Sequence, residues 1–281
     1  RCSRDWSSDV CSSDLGFIGG GNMAAAIIGG LLQKDFDRAD IVVAEQQAER
    51  RDWLAREFGI EVVAEPREAL AAEVVLLAVK PQQLRAALCC LPSLAPGQLI
   101  VSIAAGVRAG DISRWLKDHP SVVRAMPNTP ALVGAGITGL YALPGVSDAQ
   151  KAQAARLLEA VGGVVWVDSE AQIDAVTAIS GSGPAYVFLF IEALEQAAID
   201  LGLAPETARQ LTLHTFLGAA ALAIRDKSTP AELRERVTSK GGTTERGLLA
   251  LEEGGVKYAI GLAARAAAER AQEMGELFGK D

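Results

Sequence analysis

The stretch that most constrains this chain is GFIGGGNMAAA, residues 16–26. Gly19-x-Gly21-x-x-Ala24 follows the short apolar run LGFIG (15–19) and precedes a helix of small residues from Asn22. The first glycine permits a tight turn and the second lets backbone approach a pyrophosphate. The small third residue lets helix pack closely on strand. The helix N-terminus then turns unpaired N–H groups toward the anion. In this strand–turn–helix setting the pattern predicts a dinucleotide-binding α/β domain rather than a purely structural turn.

The sequence that follows agrees. IVVAE (41–45), VVLLAV (74–79), LIVSIA (99–104), VVRAM (122–126), ITGLYA (137–142) and VVWV (164–167) read as strands. VVLLAV is apolar throughout, as a strand buried on both faces should be. Helical stretches fall between most of them, which predicts a parallel sheet covered on both faces. After Asp168 the strands stop. Pro184 opens an apolar helix ending at Gly202, and Pro205 opens another running to about Arg225. Thr229-Pro230-Ala231-Glu232 is a capping box. Helices over 244–253 and 256–278 finish the chain. The expected organisation is a Rossmann-type domain over 15–168 and an all-α domain over 169–281.

The first fourteen residues, RCSRDWSSDVCSSD, show neither helical nor strand period and repeat SSD at 7–9 and 12–14. They have no apolar segment of a signal peptide and no basic amphipathic face. They read as a non-native or disordered leader, the remnant of a cloning or adapter sequence. A net charge of -8 disfavours nucleic acid or an anionic membrane as main partner. No run of residues approaches the roughly 18 apolar positions of a membrane span. The adjacent Cys89 and Cys90 read as buried thiols of a reducing, cytoplasmic setting. No His/Cys/Asp/Glu cluster has metal spacing. His119 and His214 stand alone, the second reading as a packing residue among apolar neighbours.

Candidate site residues lie at strand ends. Glu45 ends the second strand, where an acid suits a ribose 2′-hydroxyl and repels a 2′-phosphate. Arg50 and Arg51 lie just beyond and would offset that repulsion, so NADH and NADPH both stay open. Lys80 in VKP (79–81) and the Ala104-Ala105-Gly106 turn are placed to line a cofactor. RAMPNTPA (124–131) forms a stiff loop. SGSGPAY (180–186) caps the first long helix of the second half. VTSKGGTT (237–244) packs Thr238, Ser239, Thr243 and Thr244 around two glycines at a helix start, a density of small donors that a solvent loop does not need.

Taken in order, GFIGGGNM, AVKP, SIAAG, RAMPNTP, SGSGPAY and VTSKGGTT resemble the pyrroline-5-carboxylate reductase family, from about Leu15 to Leu277. The resemblance implies NAD(P)H-dependent reduction of a cyclic imine to L-proline; NADPH is the expected cofactor, and Glu45 adds the expectation that NADH is accepted as well. It implies a helical domain that forms a homodimer by interlocking with its partner, the dimers commonly assembling into decamers. Carried over by position, Ser239, Gly241, Gly242, Thr243 and Thr244 would hold the substrate, with Thr244 facing the ring nitrogen as the catalytic contact. Phe17, Ile18, Gly19, Gly20, Gly21, Asn22, Met23, Val79, Lys80 and Ala105 would contact the cofactor. Asn128, Thr129 and Pro130 would border the nicotinamide. Three positions depart from the family pattern: Lys240 stands where a proline is usual, Glu65 where an asparagine is frequent, and Glu245-Arg246 where an apolar-small pair is common. A β-hydroxyacid dehydrogenase is the first rival, but it needs a catalytic lysine early in its helical domain, and no lysine occurs between Lys151 and Lys227. A non-catalytic dinucleotide-binding regulator is the second.

Overall fold

The computed structural model describes residues 14–89 and 91–280. The expected leader lies outside the described residues apart from Asp14, as do Cys2, Cys11 and Cys90. Contacts divide the chain into two compact units. One holds the residues through Ser182 together with those from Ala266 onward, and the other is Gly183–Arg265.

The first unit is built on an eight-stranded sheet: β1 (Leu15–Ile18), β2 (Ile41–Ala44), β3 (Glu61–Val63), β4 (Val74–Leu77), β5 (Leu99–Ser102), β6 (Val122–Met126), β7 (Gly136–Ala142) and β8 (Gly162–Trp166). The spatial order is β3-β2-β1-β4-β5-β6-β7-β8. The chain leaves β1 first toward one edge, through β2 and β3, and then returns to build toward the other. The reversal beside β1 is the topological switch point at which open α/β sheets bind ligands. Strands β1, β2, β4 and β5 are buried at every position, which explains their unbroken apolar sequence. Two clusters cover the two faces, one around Phe17, Ile27, Leu76 and Val101, the other around Val75, Leu77, Leu84 and Ile112.

The sheet is parallel up to β6, but β7 pairs with β6 antiparallel. This corrects the all-parallel expectation. Only residues 127–135 separate the two strands, too few for the crossover that a parallel neighbour requires. Strand β3 was not expected either. It is short, lies at the sheet edge and is only partly covered, so it carries little apolar signal.

Helix α1 (Asn22–Gln33) follows β1, and α2 (Ala48–Phe58) follows β2. The remaining helices of this part are α3 (Pro66–Ala69), α4 (Pro81–Cys89), α5 (Ala109–Trp115), α6 (Asp148–Leu158) and α7 (Glu170–Val176). A π-turn, Thr177–Gly181, continues α7. The second unit contains α8 (Gly183–Asp200), α9 (Pro205–Arg225), α10 (Pro230–Arg236), α11 (Thr243–Glu253) and the start of α12 (Val256–Phe278). The predicted capping box at Thr229 is present in both directions.

Helix α7, just past the expected 168/169 boundary, packs on the sheet: Arg124, 2% exposed on β6, pairs with Glu170 at 3.4 Å and Asp174 at 3.2 Å. The end of α12 also belongs there. Phe278 packs into the second core cluster, and Arg114 donates to the Gly279 carbonyl at 3.0 Å.

His214 is exposed on α9 within the single chain. Two expectations are corrected. Cys89 is exposed rather than buried. The helical run 170–200, which holds an 18-residue stretch of mean hydropathy 1.3, is long and apolar enough by composition to cross a membrane. Reading by residue runs missed it because Gly181, Gly183 and Pro184 punctuate the sequence without breaking the helical path. Within 183–265 only Ala208 and Thr212 are buried. Large apolar side chains stand in the open instead, among them Phe188, Leu189, Leu217 and Ile224.

Candidate active site

In the first unit the strand register collects the predicted cofactor residues. Ala44, Ile18, Leu77, Ser102 and Arg124 pair across neighbouring strands as one row. The residues immediately beyond that row therefore share the carboxyl edge of the sheet. Gly19, Glu45, Val79, Lys80, Ala105 and Asn128 all follow it on their respective strands.

At Gly19, φ is +101° and a Cβ would come within 2.8 Å of the Ala78 carbonyl. Only glycine makes this turn. Its N–H donates to the Ala44 carbonyl at 2.8 Å, tying the turn to β2. Gly20 is equally confined, since a Cβ there would meet Leu54 and Glu45. Gly21 faces open space and is the N-cap of α1 with no side chain on the first-turn amides. Asn22 is exposed and Met23 half-buried on that first turn, while Ala24 is fully buried. The surroundings of Gly21 fit a pyrophosphate: an open side, unclaimed N–H donors and a favourable helix dipole. Phe17 and Ile18 belong to the hydrophobic core, so their side chains are turned away from any cofactor.

Glu45 is engaged by the turn itself. Its carboxylate accepts from the Gly20 N–H at 2.9 Å and from the Gln47 N–H at 2.9 Å. Arg50 donates from Nε to the Gly20 carbonyl at 2.7 Å and lies over the Trp53 ring at 4.1 Å. Arg51 donates to the carbonyls of Glu45 and Gln46. The two arginines flank the acid as the sequence suggests, and both brace the loop. Lys80 is exposed, Val79 and Ala105 are half-buried, and Asn128 is buried. Thr129 is exposed and Pro130 partly covered. The Ala104–Gly106 turn is backed by Met274 and Phe278.

In the second unit, Thr238–Thr244 covers most of the link from α10 and the first two residues of α11. Gly241 has φ +75° with nothing around its Cβ direction, a left-handed residue that turns successive amides the same way. Gly242 is the N-cap of α11 and has no side-chain cap. Thr243 and Thr244 form the first turn of α11, are exposed, and make no hydroxyl hydrogen bond among the described residues. Ser239 Oγ would lie 2.5 Å from a Cβ on Gly242, so the serine crowds over the turn and a side chain there would displace it. The Gly241 N–H donates to Glu245 Oε2 at 2.8 Å. A carboxylate thus already sits on a backbone donor assigned to substrate. Sequence reading noted Glu245 only as a departure from the family and missed this role; an acid four residues after the turn glycine, inside the first turn of a helix, is the available signal.

Comparison with known proteins matches the two parts of the chain separately. The family description "Pyrroline-5-carboxylate reductase dimerisation" matches residues 170–274, and "NADP oxidoreductase coenzyme F420-dependent" matches 14–106. A pyrroline-5-carboxylate reductase of Pseudomonas aeruginosa is 50% identical over 268 residues, covering 95% of this chain and 98% of that protein. One from Synechocystis sp. is 45% identical over 267 residues, covering 94% and 99%. Among solved structures, the pyrroline-5-carboxylate reductase of Coxiella burnetii superposes with a TM-score of 0.88 at 44% identity, covering 94% of this chain and 98% of that one. A pyrroline carboxylate reductase of Plasmodium falciparum with NADP bound gives 0.82 at 28% identity, covering 93% and 98%. With the glycine turn at the switch point, the hydroxyl-rich turn opening α11 and these likenesses over nearly the whole length, the chain belongs to the pyrroline-5-carboxylate reductase family.

Proposed function

We propose that this chain reduces 1-pyrroline-5-carboxylate to L-proline with NADPH, accepting NADH as well. What supports the substrate assignment is the likeness over nearly the whole length to pyrroline-5-carboxylate reductases; the Gly241 N–H, hydrogen-bonded to the Glu245 carboxylate within the chain, is compatible with a turn that takes a carboxylate. Ser239, Gly242 and Thr243 border the same turn, and Thr244 lies one position further along α11.

A bound reduced nicotinamide supplies the hydride. The chain's own residues bind and orient. The amides of the Gly241–Thr243 turn take the substrate carboxylate, fixing one end of the ring. The Thr244 hydroxyl faces the ring nitrogen. Hydride addition forms a C–H bond at the imine carbon, C2 of the pyrroline and C5 of the proline formed, and the C=N π pair moves to nitrogen. A protonated imine already carries the N–H of the product, so no strong acid is required, and an orienting hydroxyl suffices. In the first unit the turn at Gly19–Met23 holds the pyrophosphate, Val79, Lys80 and Ala105 line the cofactor, and the loop at Asn128–Pro130 borders the nicotinamide.

The second unit acts as a homodimerisation surface. Its near-absence of buried side chains is untenable for a monomer in water, and a second copy covering α8 and α9 supplies the missing core. Dimers assembling into decamers and a cytoplasmic location complete the proposal, the exposed thiol of Cys89 suiting a reducing compartment. A spectrophotometric assay of 1-pyrroline-5-carboxylate with NADPH and NADH in parallel tests it. Turnover with formation of proline is expected; binding of cofactor without oxidation would favour a regulator instead.

A further inference from the structure

Strand β6 runs into an extended loop, and the residues 124, 126 and 128 share one face of it at period two. All three reach the segment formed by α7 and its π-turn. Arg124 pairs with Glu170 and Asp174 on α7. Met126 Cε lies 2.6 Å from where a Cβ on Gly181 would stand. Asn128, 8% exposed, donates from Nδ2 to the Ser180 carbonyl at 3.1 Å, while its Oδ1 accepts from the Ile137 N–H at 2.9 Å. One side-chain amide therefore joins the loop after β6, the start of β7 and the π-turn. The 3-10 turn that follows, Thr129–Val133, packs on α1, the helix opened by the glycine turn.

The π-turn is the irregular element here. It closes through Ser182 N–H to the Thr177 carbonyl at 2.8 Å, one residue wider than an α-turn. Such single turns interrupt α-helices and are frequent at functional sites. Asn128 supplies this one with a donor that the helix does not.

We propose that Asn128 is a positioning residue: its amide locks the π-turn Thr177–Gly181 to the loop after β6, and that lock sets the wall beside which hydride transfer takes place. The proposal rests on the functional reading above and moves Asn128 from cofactor contact to support. Asn128→Asp keeps the acceptor for Ile137 but, when ionised, sets a carboxylate against the Ser180 carbonyl. Asn128→Ala removes both bonds.

The test combines kinetics, NADPH affinity and hydrogen exchange. In Asn128→Asp at neutral pH, kcat should fall about 10- to 100-fold, the scale of a misplaced wall. The NADPH Kd should stay within about twofold, because no cofactor contact is lost. Relative to wild type, activity should recover as pH falls and the new carboxyl gains a proton to donate to Ser180. In Asn128→Ala, amides of 177–182 should exchange faster. A raised NADPH Kd with unchanged kcat would return Asn128 to direct cofactor contact and overturn the proposal. A lowered Tm with unaltered kinetics would leave only a structural role, with the same consequence. If the wild type fails to turn over the imine, the functional reading falls by itself; exchange at 177–182 still decides the lock, and identical protection in Asn128→Ala and wild type would refute it.

Discussion

The backbone N–H of Gly241 donates to the carboxylate of Glu245 at 2.8 Å. In the proposed site the acid occupies a donor assigned to the substrate carboxylate, and it adds a like charge beside it. Glu245→Ala should therefore lower KM for the imine several-fold, within the roughly 1 kcal/mol that one exchanged hydrogen bond is worth, with kcat nearly constant. Steady-state kinetics at saturating NADPH check this. A raised KM would show that Glu245 braces the turn more than it competes.

Thr244 offers a cleaner separation of cap and catalysis than its position suggests. Gly242, not Thr244, is the N-cap of α11, and no side chain caps that helix. Thr244→Val should leave Tm nearly unchanged. Loss of the bond proposed to the ring nitrogen should remove about 1–3 kcal/mol of transition-state stabilisation, roughly ten- to hundredfold in kcat/KM. Thr243→Val should be milder because its backbone is the expected contact. A Tm loss with wild-type kcat/KM would refute the assignment.

Glu45 bridges Gly20 and Gln47 at the end of β2, where a 2′-phosphate would meet its charge. Glu45→Ser should raise the ratio of kcat/KM for NADPH over NADH by removing that repulsion. A modest loss of Tm should accompany it, since two backbone donors lose their acceptor. An unchanged ratio would show that the acid serves the loop alone.

Arg124 tests the anchoring of α7. Arg124→Ala removes the buried partner of Glu170 and Asp174; breaking a fully buried pair this way costs about 3–5 kcal/mol, and with these carboxylates 24% and 16% exposed the loss should fall below that. Replacing all three by apolar residues of similar volume should recover most of that loss. Chemical denaturation of the two variants makes the comparison.

Acid should loosen α10. The Thr229 N–H and hydroxyl donate to Glu232 at 2.7 and 2.9 Å, and the backbone bond, then the hydroxyl, hold its carboxyl below the ordinary glutamate value. A depressed folded-state pKa contributes stability above the unfolded value, and that contribution is lost as pH falls through the folded one. Hydrogen exchange in α10 should therefore quicken on the acid side of the glutamate range. Glu232→Gln, which keeps an acceptor but cannot titrate, should flatten the response.

The path to the dinucleotide site was legible because its constraints are local. A glycine forced to φ +101°, an apolar strand before it and small residues after it are all written within eleven positions. The helices of the second unit were legible for the same reason, since Pro205, Pro230 and the Thr229 capping box act within one turn. Strand direction, by contrast, was decided by the length of the link between β6 and β7. The near-emptiness of the second unit's core was hidden too, because an apolar residue reads the same whether a neighbour or a second chain covers it.

The sequence by itself determined which residues turn, cap and pack, and so the two-part plan, the cofactor turn and the hydroxyl-rich loop, because each depends on backbone sterics and side-chain chemistry close along the chain. Only the tertiary structure decided that Arg124, Met126 and Asn128 face α7 and its π-turn, that Glu45 belongs to Gly20, and that the end of α12 returns to the sheet. Those contacts join residues 25 or more positions apart, and nothing in a local pattern encodes which distant segment will bring the matching donor, acceptor or gap.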